Sequence, residues 1–138
     1  MPSLSSSHRL RALLHLMPFS EGLGVDLETA DPSTVVGSLA WSAERCTGDG
    51  ILHGGALMTL ADTVGALCAY LNLPEGATTS TIESKTNFFR GVRSGVVRAI
   101  AEPVHIGKRT IVVQTALLDD QDRSVALVIQ TQAVLPQP

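Results

Sequence analysis

The stretch ILHGGALMTLADTVGALCAY, residues 51–70, decides how the rest of the chain must be arranged. A histidine and two glycines open a run that is apolar on nearly every side, and Asp62 sits inside it with no Lys or Arg in the run. The pattern predicts a long helix over about residues 54–71, ended by the Pro and Gly of NLPEGA. A helix that is apolar nearly all round has to be wrapped by a sheet or by a partner subunit. Asp62 has two readings. Thr59, Asp62 and Thr63 fall at i, i+3 and i+4, so they form either a narrow polar stripe facing solvent or one wall of a cleft.

Working outward, strand patterns lie on both sides. GLGVDLETA gives a short strand, DPS a turn, and TVVGSLAWSA alternates Val35, Gly37, Leu39, Trp41 and Ala43 against a more polar face. The glycine-rich CTGDGILHGG leads into the helix. After it come TSTIESKTNFF, GVVRAIAEPVH, RTIVVQTALLD and SVALVIQTQAVL, the last three joined by short turns as an antiparallel meander. In the first of these, Ile82, Ser84, Thr86 and Phe88 are expected on one face and Thr81, Glu83, Lys85 and Asn87 on the other. The architecture expected is α+β, an antiparallel sheet curled round one central helix. Its second face and edges remain to be covered, which favours oligomers.

At the N-terminus, Leu10, Leu13, Leu14 and Met17 have the spacing of a docked amphipathic helix, with Ser7 as N-cap and Pro18 as the stop. The alternative is a targeting segment, since Arg9 and Arg11 accompany several serines and no acid appears before Glu21. One domain over residues 1–138 is expected, with the helix in 1–17 and the sheet-and-helix core in 19–135.

Composition removes several function classes. The 138 residues are 44% apolar and 17% charged with net charge −3, so neither disorder nor a nucleic-acid footprint is indicated. Residues 54–71 fall short of a membrane span because Thr59, Asp62 and Thr63 interrupt them. Cys46 and Cys68 have no metal-ligand spacing, His53 and His105 suggest no third ligand, and a reducing, cytoplasmic setting is the default.

The glycines of HGG lie where helix N–H groups lack partners and where the helix dipole is positive, a natural hole for a developing oxyanion. They equally permit a tight loop-to-helix turn. His53 either shapes that turn or contacts substrate. Asp62 lies eight residues beyond Gly54, roughly 12 Å along the helix, so both cannot reach one carbonyl from one chain. Antiparallel central helices in a dimer would bring them together.

GDGILHGGALMTLADTVGALCAY, TSTIESKTNFFRGVRSG and AEPVHIGKRTIVVQTALLDDQDRSVALVIQTQAVL together resemble the hotdog-fold acyl-CoA thioesterases. Within these, the resemblance is to the phenylacetate-pathway (PaaI-like) group, akin to the 4-hydroxybenzoyl-CoA thioesterases. It spans residues 19–135 and rests on HGG followed by LAD and on the HxGxR-like HIGKRT. It implies a dimer or dimer of dimers (a homotetramer) with active sites between subunits. It also implies hydrolysis of aryl or medium-chain acyl-CoA without a metal or separate cofactor, coenzyme A being part of the substrate. Asp62 falls on the family's catalytic acid, as general base or nucleophile, Gly55 on the amide that polarises the thioester carbonyl, and His53 on its loop histidine. Gly54, Thr81, Phe88, Phe89, Arg90, His105, Gly107, Lys108 and Arg109 fall on the substrate and coenzyme A groove. Arg90 and Arg93 on one turn and Lys108 and Arg109 on the adjacent one offer charge to phosphate. The chain departs from the family at Thr47, where relatives carry Asn or Gln. The other functions open to the sequence are a hotdog hydratase or dehydratase and a non-catalytic acyl-CoA binder.

Overall fold

A computed structural model describes residues 6–137. The long helix, α3 (Gly54–Leu71), follows two short helices, α1 (Ser6–His15) and α2 (Pro18–Leu23), and two strands, β1 (Asp26–Asp31) and β2 (Thr34–Ala40). Four strands come after it: β3 (Thr78–Phe88), β4 (Val96–Ile106), β5 (Thr110–Leu118) and β6 (Ser124–Leu135). All six strands form one antiparallel sheet in the order β1-β2-β4-β5-β6-β3. The sheet wraps α3, the hotdog arrangement. β3 pairs with β6 and not with its sequence neighbour, so β3 and β1 are the edges.

Wrapping explains the apolar character of α3. The helix has the length and hydropathy of a membrane span, yet Leu57, Leu60, Ala61, Val64, Leu67 and Cys68 are buried against the sheet, which makes it a core helix. They meet Val35, Leu39, Val97, Ala99, Ile111, Val113 and Val128 in one core cluster. Gly37 marks a close approach of sheet to helix, since a Cβ there would stand 2.7 Å from Val64 Cγ1. The C-terminal end of α3 is tied down by Asn72, whose Nδ2 donates to Cys68 O at 2.8 Å and Pro32 O at 2.7 Å. Burial, with a smaller contribution from the charge of Glu102, pushes the Cys68 thiol up to about 11, as expected of a core cysteine.

The N-terminal segment differs from expectation in detail. Leu10, Leu13, Leu14 and Met17 do pack on the core. Ser7 lies inside α1 and is not its cap, and α1 ends at His15. Pro18 opens α2, since at the first helical turn its missing N–H costs nothing. The beginning of GLGVDLETA is therefore helical, and Gly24 (φ 102°) closes α2 in the left-handed conformation. Residues 1–5, part of the stretch weighed as a targeting segment, lie outside the described residues.

A second correction concerns β3. Its pairing with β6 slips at Thr81–Glu83, where Thr81 faces Gln132 and Glu83 already faces Thr131. Ile82 is the extra residue of a bulge, and a bulge re-phases the alternation. Residues directly opposite share a face. Thr81 therefore joins Ser84, Thr86 and Phe88, which face Gln130, Val128 and Ala126.

Leu60, toward the middle of α3, is fully buried. Leu60→Ala is expected to lower stability by about 2–5 kcal/mol, measured as the free energy from urea unfolding.

Candidate active site

The start of α3 is organised by His53. As N-cap its Nδ1 accepts the Gly55 N–H at 2.8 Å, which fixes that nitrogen as unprotonated. The Ala56 and Leu57 N–H groups both go to His53 O, at 2.9 and 3.2 Å. Among the described residues the Gly54 N–H has no protein partner, and it is the amide of the first turn left for a ligand. The HGG turn thus divides its work. Gly55 closes the cap with His53, and Gly54 presents the free donor beside the positive end of the helix dipole.

The helix start separates two grooves. In one, of 380 Å³, Thr47, Gly54, Phe88, Phe89 and Arg90 come together with Ile51. Gly54 lies against the Phe88 ring, with a Cβ position 3.2 Å from Cζ. His53 and Gly55 line the other, of 370 Å³, with Phe19, Leu23, Cys46 and Thr59. The loop before them is held by Trp41 Nε1 donating to Gly50 O at 2.9 Å and Arg93 Nη1 donating to Asp49 O at 2.8 Å. Arg93 is thereby partly occupied with the loop.

Asp62 lies two turns further along α3, on a stripe with Met58, Ala66 and Tyr70 that the sheet leaves uncovered. The residue is exposed, but its Oδ1 accepts from Gln130 Nε2 of β6 at 3.2 Å. Partial desolvation holds the Asp62 carboxyl above its ordinary value, and the Gln130 bond offsets part of that rise. Sequence reading did not single out Gln130. The signal was present: Gln130 and Gln132 sit at alternate positions with Val128 and Val134, which places two amides on the core face of β6. Burying an amide without partners costs about 1–3 kcal/mol, so each needs a reason to be there.

The bases are not assembled by one chain. Arg90 and Arg93 precede β4, and His105, Gly107, Lys108 and Arg109 lie at its far end. Eleven residues of strand, roughly 33 Å, separate the two turns, so turns adjacent in sequence stand at opposite ends of the sheet. Phe88 and Phe89 are about half exposed at the end of edge strand β3. Among the described residues no three His, Cys, Asp or Glu side chains converge as a metal site would need.

With this geometry in view, residues 49–126 match the family described as the Thioesterase superfamily. The chain belongs to that family. It is 34% identical over 117 residues to ComA2 of Bacillus subtilis (strain 168), described as a candidate esterase, covering 83% of this chain and 92% of ComA2. The proofreading thioesterase EntH of Cronobacter sakazakii is 34% identical over 74 residues, 54% of each chain. Among solved structures, a mutant of thioesterase PA1618 from Pseudomonas aeruginosa superposes with TM-score 0.87 at 28% identity, covering 99% of this chain and 98% of that one. Thioesterase HI1161 from Haemophilus influenzae superposes with TM-score 0.86 at 27% identity over 92% of this chain and 90% of that one. Family and fold together support a thioester hydrolase.

The raised carboxyl of Asp62 has a thermodynamic consequence. Its folded value exceeds its unfolded value, so the folded chain holds the proton more tightly. Stability is then highest below the unfolded value and falls as pH rises through the folded one. Asp62→Asn is expected to be more stable than the native chain at neutral pH, with the gap closing in acid. Unfolding midpoints measured across pH check this, and a gap independent of pH would contradict it.

Proposed function

We propose that the protein hydrolyses acyl-CoA thioesters, aryl or medium-chain, as members of the PaaI-like group do. One observation carries the reading: the otherwise wrapped helix α3 exposes a free Gly54 N–H at its positive end and the Asp62 carboxylate two turns on. In the proposed reaction the thioester carbonyl oxygen accepts from the Gly54 N–H, which stabilises the tetrahedral oxyanion; one such donor is worth about 10²–10³ in rate. Asp62 takes the proton of the attacking water as general base, or attacks the carbonyl itself as nucleophile. The thiolate of coenzyme A leaves and takes the proton that Asp62 drew from water; where Asp62 is the nucleophile, a water then cleaves the acyl-aspartate anhydride, which releases the acid, restores Asp62 and supplies the thiolate's proton. His53 holds the turn that aims the amide, and Thr47 stands in the same groove with a hydroxyl in place of the family's amide.

Gly54 and Asp62 of one chain lie about 12 Å apart along α3, too far to share one carbonyl. The proposed site therefore takes its amide from one protomer and its carboxylate from another. The uncovered edge of β3, with Ile82, Phe88 and Phe89 exposed, supports association there. The same pairing would join the Arg90 turn of one protomer to the Lys108–Arg109 turn of the other around the coenzyme A phosphates.

Thiol release from a panel of acyl-CoA thioesters tests the reading. Asp62→Ala is expected to abolish turnover. Gly54→Pro, proline being at home at the first helical position, is expected to lower kcat by about 10²-fold. An equimolar mixture of the two variants, refolded together, should recover about a quarter of native activity through mixed dimers. Acyl-CoA binding without thiol release, or full activity in Asp62→Ala, would overturn the proposal.

KM for acyl-CoA is also expected to rise with salt as the phosphate contacts are screened, and a KM independent of ionic strength would contradict those contacts.

A further inference from the structure

Strand β6 carries two glutamines into the core beneath α3, Gln130 at 0% exposure and Gln132 at 1%. They form one hydrogen-bonded line. Thr79 Oγ1 donates to the Ala133 carbonyl at 2.8 Å, and Gln132 Nε2 donates to Thr79 Oγ1 at 3.3 Å. Gln130 Nε2 donates to Gln132 Oε1 at 3.2 Å and to Asp62 Oδ1 at 3.2 Å.

The line has a direction, and the backbone sets it. A carbonyl only accepts, so the Thr79 hydroxyl must give its proton to Ala133 O. Its oxygen is left to accept, which turns the NH₂ of Gln132 toward Thr79 and its oxygen toward Gln130. Gln130 must then present NH₂ both to Gln132 and to Asp62. Turned over, Gln130 would set its oxygen against the oxygens of both neighbours. The side chain instead leaves Oε1 without a hydrogen bond, in a notch under α3. That notch exists because residue 65 is glycine; a Cβ there would run into Gln130 Oε1.

We propose that Gln130 is a positioning residue for Asp62: a donor of fixed polarity, oriented through Gln132 and Thr79 by the Ala133 carbonyl, that holds the carboxylate ionised and fixes its rotamer. Among the described residues no charged side chain forms an ion pair with Asp62. β5 and β6 carry no ionisable side chain. Glu21 of α2 is paired with His15 of α1, Glu28 of β1 with Arg98 of β4, and Glu102 of β4 acts on Cys68. The causes that act on the Asp62 carboxyl are its burial and the Gln130 bond, and no charged side chain of α1, β1, β3 or β4 is among them. The inference rests on the proposed function only for the catalytic meaning of Asp62.

The test uses Gln130→Met, which keeps the length and removes both donors, and Gly65→Ala, which displaces the amide from behind. Two readouts separate the claims. The first is the titration midpoint of the Asp62 carboxyl, followed by carbon NMR in chain labelled at aspartate. The second is the pH profile of kcat/KM for thiol release. A hydrogen bond to an ionised group favours that form, so its loss should move the Asp62 midpoint and the acid limb upward by about one pH unit. kcat/KM should then fall about tenfold below the limb, with plateau KM unchanged. If Gln130→Met does not fold, Gly65→Ala and Thr79→Val carry the test, the latter freeing the far end of the line and shifting the midpoint less. Folded variants whose Asp62 midpoint equals that of the native chain overturn the inference. Should the midpoint move while Asp62→Asn keeps full thiol release, the positioning role stands and the hydrolase mechanism fails. Should Asp62→Asn be inactive while the midpoint stays fixed, the reverse holds.

Discussion

Everything in this structure follows from the need to bury α3. A helix of 18 residues with ten of them buried cannot stand at a surface, and a curled antiparallel sheet removes most of its apolar side chains from water. The close fit is made at two glycines. Gly37 of β2 admits Val64, and Gly65 of α3 admits the amide of Gln130. The same wrapping decides what is left out. One stripe of α3, through Met58, Asp62, Ala66 and Tyr70, is not covered by the sheet of its own chain.

The stripe carries the one carboxylate of the helix, Asp62. Its carboxylate, exposed yet partly desolvated, is held above its ordinary pKa by that desolvation and steadied by one amide from the sheet below. At the helix start, His53 occupies the Gly55 N–H and so singles out Gly54 as the free donor. These groups, like the two sets of bases, are spread along the length of the molecule. Rigid elements fix that spread, since eight helical residues or eleven strand residues cannot be shortened. A chain built this way holds these groups apart, and its edge strand β3 leaves backbone and the apolar side chains of Ile82 and Phe88 uncovered.

Much of this was legible in the sequence because it is periodic. The bounds of α3 and of the last three strands follow from apolar spacing and from turn residues, and HGG with LAD carried the family resemblance. What escaped was aperiodic or non-local. Pro18 can stop a helix or start one, and only its surroundings choose between them. The bulge at Ile82 is invisible to alternation until β6 fixes the register, and it moved Thr81 to the other face. Gln130 and Gln132 look like surface residues by type, and their burial depends on which face of β6 meets α3.

By itself, then, the sequence determined the kind and order of the elements, the wrapped helix and the residue types available for catalysis, because local periodicity and turn chemistry act over a few neighbours. Tertiary structure alone decided which amide is free, which polar side chains lie beneath Asp62 and which bases can meet. Those depend on hydrogen bonds and register between segments as far apart as Asp62 and Gln130, and no local pattern encodes them.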